Sequence, residues 1–545
     1  MVEVTKPDYL SLVNKSGSGF NVSELVTSIV ASEIEPKRAM QNTKLEKTES
    51  AISGIGLLTS QAGTTKANFG TILDDKFFDV KTTDASILTV NATDETKLVP
   101  TTINLSITQV AKKMVFELSN FDNLTDTFSA NLNLEFGEWG AAAPNGFTAS
   151  SNPVQISFDN KNLSQVAATF SDLEGISAKV IDKNGDGSQY SLVISSDLTG
   201  VGNGFSISAA DNDDANDRWI TSQNGNNQIM QYASDAQFQF NDVSITRQSN
   251  KITDLVDGLE INLLNNNGGG NVSVHVTRST ETIRASATDI VFSLNEFKNK
   301  LDELTFIDLE GDANGPLALD PTVARIKSDF KKLVLQPLSG YSDRPIYLSQ
   351  LGIKTNNNGE FYLDDLVFDK ALRDAPERFI ALKDEFAAGS RSSVKVYKSQ
   401  FTNIPAGVYN VQQDGNVWKV GDIEVTREDY NGGSRFTSTQ YPGLSVYTPE
   451  VEPQSFNVYI GTSFSQRAVD LMDKLLDLNS SISRSEETYK IQSSDIQERL
   501  AKLEEREKLI SERYTQQFGS MEQAMTQFNS TKTLLENFIE AWKKN

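Results

Sequence analysis

Hydrophobic positions near the start of the chain recur with helical spacing. Val22, Leu25, Val26, Ile29 and Val30 fall at i, i+3, i+4, i+7 and i+8, on one face of an α-helix. Asn21 stands where its side chain can accept from first-turn amides. Glu24, three residues on, completes a capping box, and Phe20 and Leu25 occupy the N′ and N4 positions of a hydrophobic staple. Pro36 disfavours helical dihedrals at Glu35, so a break is predicted there. Beyond it, Leu45, Thr48, Ile52 and Ile55 are spaced three, four and three residues apart among polar residues. That is the a/d seam of a coiled coil, narrower than the stripe of a globular helix.

From about residue 70 the period changes from helical to alternating. "SILTVNA", "TTINLSITQV" and "ANLNLEFGEW" read as half-buried strands. Between 153 and 208 the pattern predicts an α+β unit: the strand "PVQISF", the helix "NLSQVAATF" with Asn162 and Gln165 as a capping box, and a hairpin over "GISAKVIDKNGDGSQYSLVISS". After residue 250, "ITDLVDGLEINLLNNNGGGNVSVHVTRST" is strand, Asn/Gly turn and strand, leading into the helical "ATDIVFSLNEFKNKLDEL". Residues 391–460 return to β and turn chemistry. In the last stretch one heptad register carries Ile496, Leu500, Leu503, Ile510, Tyr514, Met521, Phe528, Leu535 and Phe538, with Glu507, Gln517, Ala524 and Thr531 as weak members. Glu498–Lys502 and Glu504–Lys508 are acid-first i,i+4 pairs on its solvated face.

A long thin seam needs a partner strip, and the comparable seam lies at the other end of the chain. The expected molecule is therefore α+β and multidomain. Terminal helices form a coiled-coil leg, and antiparallel β-rich head domains are inserted between them. The divisions expected are 1–66 and 286–390 (leg segments), 67–130 and 246–285 (β head), 131–245 (distal head), 391–460 (an additional β module) and 461–545 (C-terminal helices). The contacts expected to join the leg to itself or to partners are Leu25, Val26, Ile29, Val30, Leu45, Ile52, Leu503, Ile510, Tyr514, Met521, Phe528, Leu535, Phe538 and Trp542.

Composition narrows the function. With 50 basic and 73 acidic residues among 545, the formal net charge is −23, which argues against nucleic acid or an anionic membrane as partner. The chain has no cysteine, so disulfides and thiolate–zinc sites are excluded. The one histidine, His275, lies in the alternating "NVSVHV" and reads as a strand residue, which leaves no His-based triad or His-rich metal site. No apolar run approaches the roughly 18–20 residues needed to span a bilayer. "MVEVTKPDYLSLVNKSGSG" is not a cleavable secretion signal, which suits either a cytoplasmic protein or one exported without such a signal.

The chemical motifs are weak. "DKNGDGSQYSLV" places Asp182, Asn184, Asp186 and Gly187 as a calcium loop does, but Val193 stands where the bidentate Glu belongs, so a hairpin turn is the better reading. "DNDDAND" reads as a solvated acidic loop. "GVGNG" lacks the third glycine and the strand–helix context of a dinucleotide loop. There is no G-x-S-x-G elbow, Walker A sequence or HExxH. No catalytic residue, metal or cofactor is expected.

Five segments in order resemble the bacterial flagellar filament-capping family, the hook-associated protein 2 family. They are "GSGFNVSELVTSIVASEIEPKRAMQNTKLEKTESAISGIG", "NLSQVAATFSDLEGISAKVIDKNGDGSQYSLVISSDLTGVGN", the strand–turn–strand with its following helix, "LSQLGIKTNNNGEFYLDDLVFDKAL" and "ERYTQQFGSMEQAMTQFNSTKTLLENF". Residues 391–460 depart from that pattern. The resemblance implies a non-enzymatic protein that leaves the cell through the flagellar export apparatus with a dedicated export chaperone. It implies a small homo-oligomeric ring at the filament tip, which helps flagellin fold and insert. The alternatives are flagellin or a hook–filament junction protein, and an extracellular adhesin. In the adhesin, Trp139, Trp219 and Trp418 would be sugar platforms, although each is more often a core residue.

Overall fold

The computed structural model describes residues 19, 21–140, 146–211, 213–221, 227–310, 314–399 and 402–543. Among them the α-helices are, in chain order, α1 (Val22–Asp74), α2 (Leu163–Ser171), α3 (Thr280–Leu304), α4 (Pro321–Leu335), α5 (Asp365–Asp374), α6 (Phe464–Leu476) and α7 (Ser481–Lys543). The chain divides into two compact units. One is Asp75–Ala285, and the other joins the stretch up to Asp74 to everything from Ser286. The observed architecture is α+β and multidomain, with long helices from both ends of the chain and several antiparallel sheets.

In the Asp75–Ala285 unit a five-stranded antiparallel sheet has the order Phe78–Thr82, Val272–Arg278, Thr101–Gln109, Ala236–Phe240, Val243–Arg247. The two strands read around the Asn/Gly turn do not pair with each other. Leu259–Leu263 joins Leu88–Ala92 in a three-stranded sheet, and Val272–Arg278 joins the five-stranded one. Asn267 in the turn between them acts as a one-residue strand: its amide donates to Ile107 O at 3.1 Å and its Oδ1 accepts from Ile107 N at 2.9 Å. His275 is an exposed strand residue 3.2 Å from Thr102 Oγ1.

Two four-stranded sheets and α2 enclose a second core in this unit, around Phe116, Phe121, Phe170, Phe205 and Trp219. The Asn162–Gln165 capping box is present in both directions, at 2.9 and 3.0 Å. The 182–193 stretch is a hairpin turn: Asp182 accepts from the amides of Asn184, Gly185 and Gly187, so its oxygens hold the loop closed. In the acidic loop, of which residue 212 lies outside the described residues, Asp211 accepts from the Asn131 side-chain amide at 3.1 Å. Gly200 of "GVGNG" has φ +105°, and a Cβ there would sit 2.5 Å from Gln248 Cβ; the glycine serves close backbone approach. Trp219 is buried, Trp139 donates to Phe205 O at 3.0 Å, and Trp418 packs on Phe436 with ring centres 4.9 Å apart.

In the other unit the expected break at Pro36 does not occur. α1 runs unbroken through Pro36 for 53 residues. An interior proline removes one backbone hydrogen bond and crowds the preceding turn, yet Val26, Val30 and Ile34 just before it are buried against a partner helix. Continuous packing outweighs the local penalty. The seam also differs from the one read. Thr48 and Ile55 are buried, but Leu45 and Ile52 are half-buried at its flanks. The strip continues as Ala51, Leu58, Ala62, Thr65, Phe69 and Ile72.

A third seam runs along α3. In α3, Ala287, Ile290, Leu294, Phe297, Leu301 and Leu304 are all buried and alternate steps of three and four. Asp320 caps α4 through the amides of Thr322 and Val323, at 2.7 and 3.1 Å, and accepts from Ser485 Oγ and Tyr489 Oη of α7 at 3.0 and 2.9 Å. Strands from Phe386–Gly389 to Phe456–Gly461 form one eight-stranded antiparallel sheet. Its first two strands, Phe386–Gly389 and Lys395–Lys398, stand at opposite ends of the strand order, and its inner face carries a single core including Val411, Phe436, Val458 and Ile460.

Candidate functional site

The candidate site is the helical leg, where α1 and α7 run antiparallel. Between the Glu33–Arg38 and Lys66–Phe69 stretches of α1, the partners fall back from residues 506–507 to residues 473 and 464. Glu33 meets Arg506 at 3.5 Å and Arg38 pairs with Glu507. Lys66 meets Asp473 of α6 at 2.5 Å, and the Phe69 ring stands edge-on to Phe464 at 5.8 Å. The Asn21 cap forms as expected, whereas Glu24 meets the Asn21 side chain, where a capping box uses the backbone amide. Asn21 Oδ1 accepts from the Glu24 amide at 3.3 Å, and Glu24 Oε2 accepts from the Asn21 side-chain amide at 3.2 Å. Phe20, one half of the expected staple, lies outside the described residues, and Leu25, the other half, is exposed.

The start of α1 packs by steps of four. Val22, Val26, Val30 and Ile34 are buried with Ile510, and Leu503, Tyr514 and Phe518 lie against them; Ile29 is half-buried at the edge. On α7 the same shift occurs: Ile510, Tyr514 and Phe518 are followed by the buried Glu522. A heptad continues instead through 514, 517 and 521. Four-residue steps rotate the contact stripe around the helix relative to the heptad, so Met521 falls outside the seam and is exposed.

Past that point no strip of described residues covers the helix. Every residue from Gln527 to Lys543 is exposed, over a length of about 25 Å at 1.5 Å per residue. Phe528, Leu534, Leu535, Phe538 (75 % exposed), Ile539 and Trp542 (82 % exposed) all stand in solvent. Of the contact residues expected from the sequence, the structure therefore gathers Val26, Val30, Leu503, Ile510 and Tyr514 into one cluster. It leaves Phe528, Leu535, Phe538 and Trp542 together on an open surface.

Charge along α7 follows the expected pattern in part. Lys502 pairs with Glu498 at 2.6 Å, and that hydrogen bond holds the Glu498 carboxyl below the usual carboxylate range. Glu504 and Lys508 are not paired among the described residues. No group of three metal-ligating side chains occurs among the described residues, and no described helix is long and apolar enough to cross a membrane.

Two family models match the chain: the flagellar hook-associated protein 2 C-terminus over residues 233–530, and the N-terminus of the same family over residues 18–114. The chain belongs to the flagellar hook-associated protein 2 family. The A-type flagellar hook-associated protein 2 of Pseudomonas aeruginosa is 24% identical over 447 residues, covering 77% of this chain and 89% of that protein. The flagellar hook-associated protein 2 of Escherichia coli (strain K12) is 24% identical over 373 residues, covering 66% of this chain and 76% of its own length. The crystal structure of the flagellar cap protein FliD from Escherichia coli is similar in fold, with a TM-score of 0.53 at 18% identity over 80% of this chain and 99% of that one.

The family matches bear out the resemblance of the five sequence segments, and with it the filament-cap reading. The flagellin-like, junction and adhesin alternatives are not favoured. Residues 391–460 lie within the span of the C-terminal family match, 233–530. The family is a structural one.

Proposed function

We propose that this chain assembles as a small homo-oligomeric ring at the tip of the bacterial flagellar filament, where the exposed end of α7 engages flagellin during insertion. The observation that carries the reading is the uncovered apolar run Leu534, Leu535, Phe538, Ile539 and Trp542 on a helix whose preceding turns are paired with α1. A two-stranded seam occupies about two residues per heptad, so this density of large apolar groups exceeds what an antiparallel partner covers. Burying two or three of them per leg contributes about 1.5–3 kcal/mol each before entropy losses. That is a grip weak enough to step as subunits are added. The site of action is extracellular, and delivery there runs through the flagellar export apparatus with a dedicated chaperone, as in the family the chain belongs to.

The test is a chain truncated after Asn529, examined for export, ring formation by electron microscopy and filament length. Rings that form while flagellin escapes unpolymerised support the reading. Normal filaments capped by truncated chains overturn the role of the α7 end.

A further inference from the structure

A cleft of about 330 Å³ opens between α3, α4 and the hairpin of Ile353–Thr355 with Phe361–Leu363. Its floor is apolar: Leu301, Phe330, Val334 and Phe361, with the exposed Leu335 at its lip. Its rim is cationic in a chain of strongly negative charge. Lys298 and Lys327 both hold Asp302, at 2.7 and 2.5 Å; burial opposes its charge, and these two hydrogen bonds keep its carboxyl below the usual range. Lys331 has no carboxylate partner among the described residues. The cleft thus offers an apolar floor with net positive charge, at the small end of ligand-sized cavities.

The same unit displays the complementary shape. After α3 the chain runs Phe306-Ile307-Asp308-Leu309-Glu310, three large apolar groups interleaved with two carboxylates. Phe306, Ile307 and Leu309 are 56, 49 and 92 % exposed, so they do not fill the cleft of their own chain. The loop is braced: Asp308 N donates to Asn314 Oδ1 at 2.8 Å, Glu310 N to Asp308 Oδ1 at 3.0 Å, and Gly315 N to Phe306 O at 2.8 Å. Asp308 is thereby engaged, and Glu310 is the carboxylate without a partner among the described residues.

We propose that the cleft is the socket for the Phe306–Glu310 loop of a second copy of this chain, with Leu309 on the apolar floor and Glu310 against Lys331. Loop and socket belong to one compact unit but are different surfaces, so the contact is heterologous, and repetition about an axis closes a ring. The proposal rests on the oligomeric reading above and specifies one of its interfaces.

The absence of native cysteine makes the test clean. Two full-length chains of distinguishable mass, one Leu309→Cys and one Lys331→Cys, are mixed at oligomer-forming concentration and oxidised. The mixed disulfide is expected to exceed both same-chain disulfides, and to exceed that from a Leu366→Cys control, whose side chain is also highly exposed. In parallel, Lys331→Glu is expected to raise the concentration for half-assembly about tenfold, and adding Glu310→Lys to restore it. Oligomers that form without the mixed disulfide, or that assemble normally with Lys331→Glu, overturn this interface alone. Chains that stay monomeric at every concentration overturn the oligomeric reading and the interface with it.

Discussion

The Tyr489 hydroxyl donates to Asp320 Oδ2 at 2.9 Å, joining α7 to the same carboxylate whose other oxygen caps the first turn of α4. Partial burial, then the hydrogen bond and the charge of Asp320, push the Tyr489 phenol up to about 12. A phenol held protonated in the folded state contributes stability that is fully present below pH 10 and is lost as pH rises from 10 through 12. Two pK units correspond to about 2.7 kcal/mol, and screening at this partly exposed site lowers that to about 1 kcal/mol. Urea midpoints of the native chain and Tyr489→Phe are therefore expected to differ at pH 8 and to converge by pH 12. The comparison separates Tyr489 from Tyr341, whose phenol is also raised by burial. Asp320→Ala removes the cap as well and is expected to cost about 2–3 kcal/mol. Parallel pH curves for the native chain and Tyr489→Phe would show that the hydrogen bond contributes nothing.

Two glycines two residues apart in α1 are expected to respond with opposite sign. A Cβ on Gly54 would stand 3.1 Å from both Leu317 Cγ and Pro316 Cγ, whereas one on Gly56 meets nothing within 4 Å. Gly56→Ala gains helix propensity without contact and should stabilise by about 0.5–1 kcal/mol. Gly54→Ala gains the same propensity but must displace the loop before α4, and is expected to destabilise by about 1–2 kcal/mol. Thermal unfolding of the two variants decides it, and a stabilised Gly54→Ala would show that the loop at 316–317 is not seated on α1.

Element types were legible because amphipathic period is local: the strands from 88 to 278, the Asn162–Gln165 cap and the seam of α7 up to Tyr514 are all carried by short-range pattern. What escaped was set by the partner. Ala51, Ala62 and Thr65 take seam positions because close helix approach favours small groups, and a hydrophobicity search favours Leu45 and Ile52 instead. The shift to four-residue steps around Val26 and Tyr514 arises from two helices matching each other, so Met521 was read into a seam it does not join. The pairing of Asp320 with Tyr489 joins residues far apart in the chain with no local signature. The exposed group at the end of α7 was readable, since it depends only on apolar residues exceeding what a seam needs.

Pro36 gives a direct check on continuity of α1. Within the helix its ring removes a hydrogen bond that an amide at position 36 would make, and interior prolines cost about 3 kcal/mol. Pro36→Ala is expected to restore much of this locally, slowing hydrogen exchange of the amides following residue 25 while leaving those after residue 50 unchanged. Unaltered exchange before residue 36 would mean that the two halves of α1 are uncoupled in solution, and the unbroken helix would be wrong there.

The last prediction separates function from stability at the end of α7. Phe538 and Trp542 lie four residues apart on one face of the helix, and neither is covered by a described residue. Substitutions at such positions change folding stability by no more than about 0.5 kcal/mol. Phe538→Asp with Trp542→Ala should therefore leave the urea midpoint and the oligomer unchanged. If the two side chains are buried against a flagellin subunit, their loss removes about 3–6 kcal/mol of contact per leg before entropy losses. Filaments grown in cells carrying the double variant should then be short, with unpolymerised flagellin in the medium. Filaments of normal length from such a chain would place the flagellin contact elsewhere, and a lowered urea midpoint would show that the two residues pack within the native fold after all.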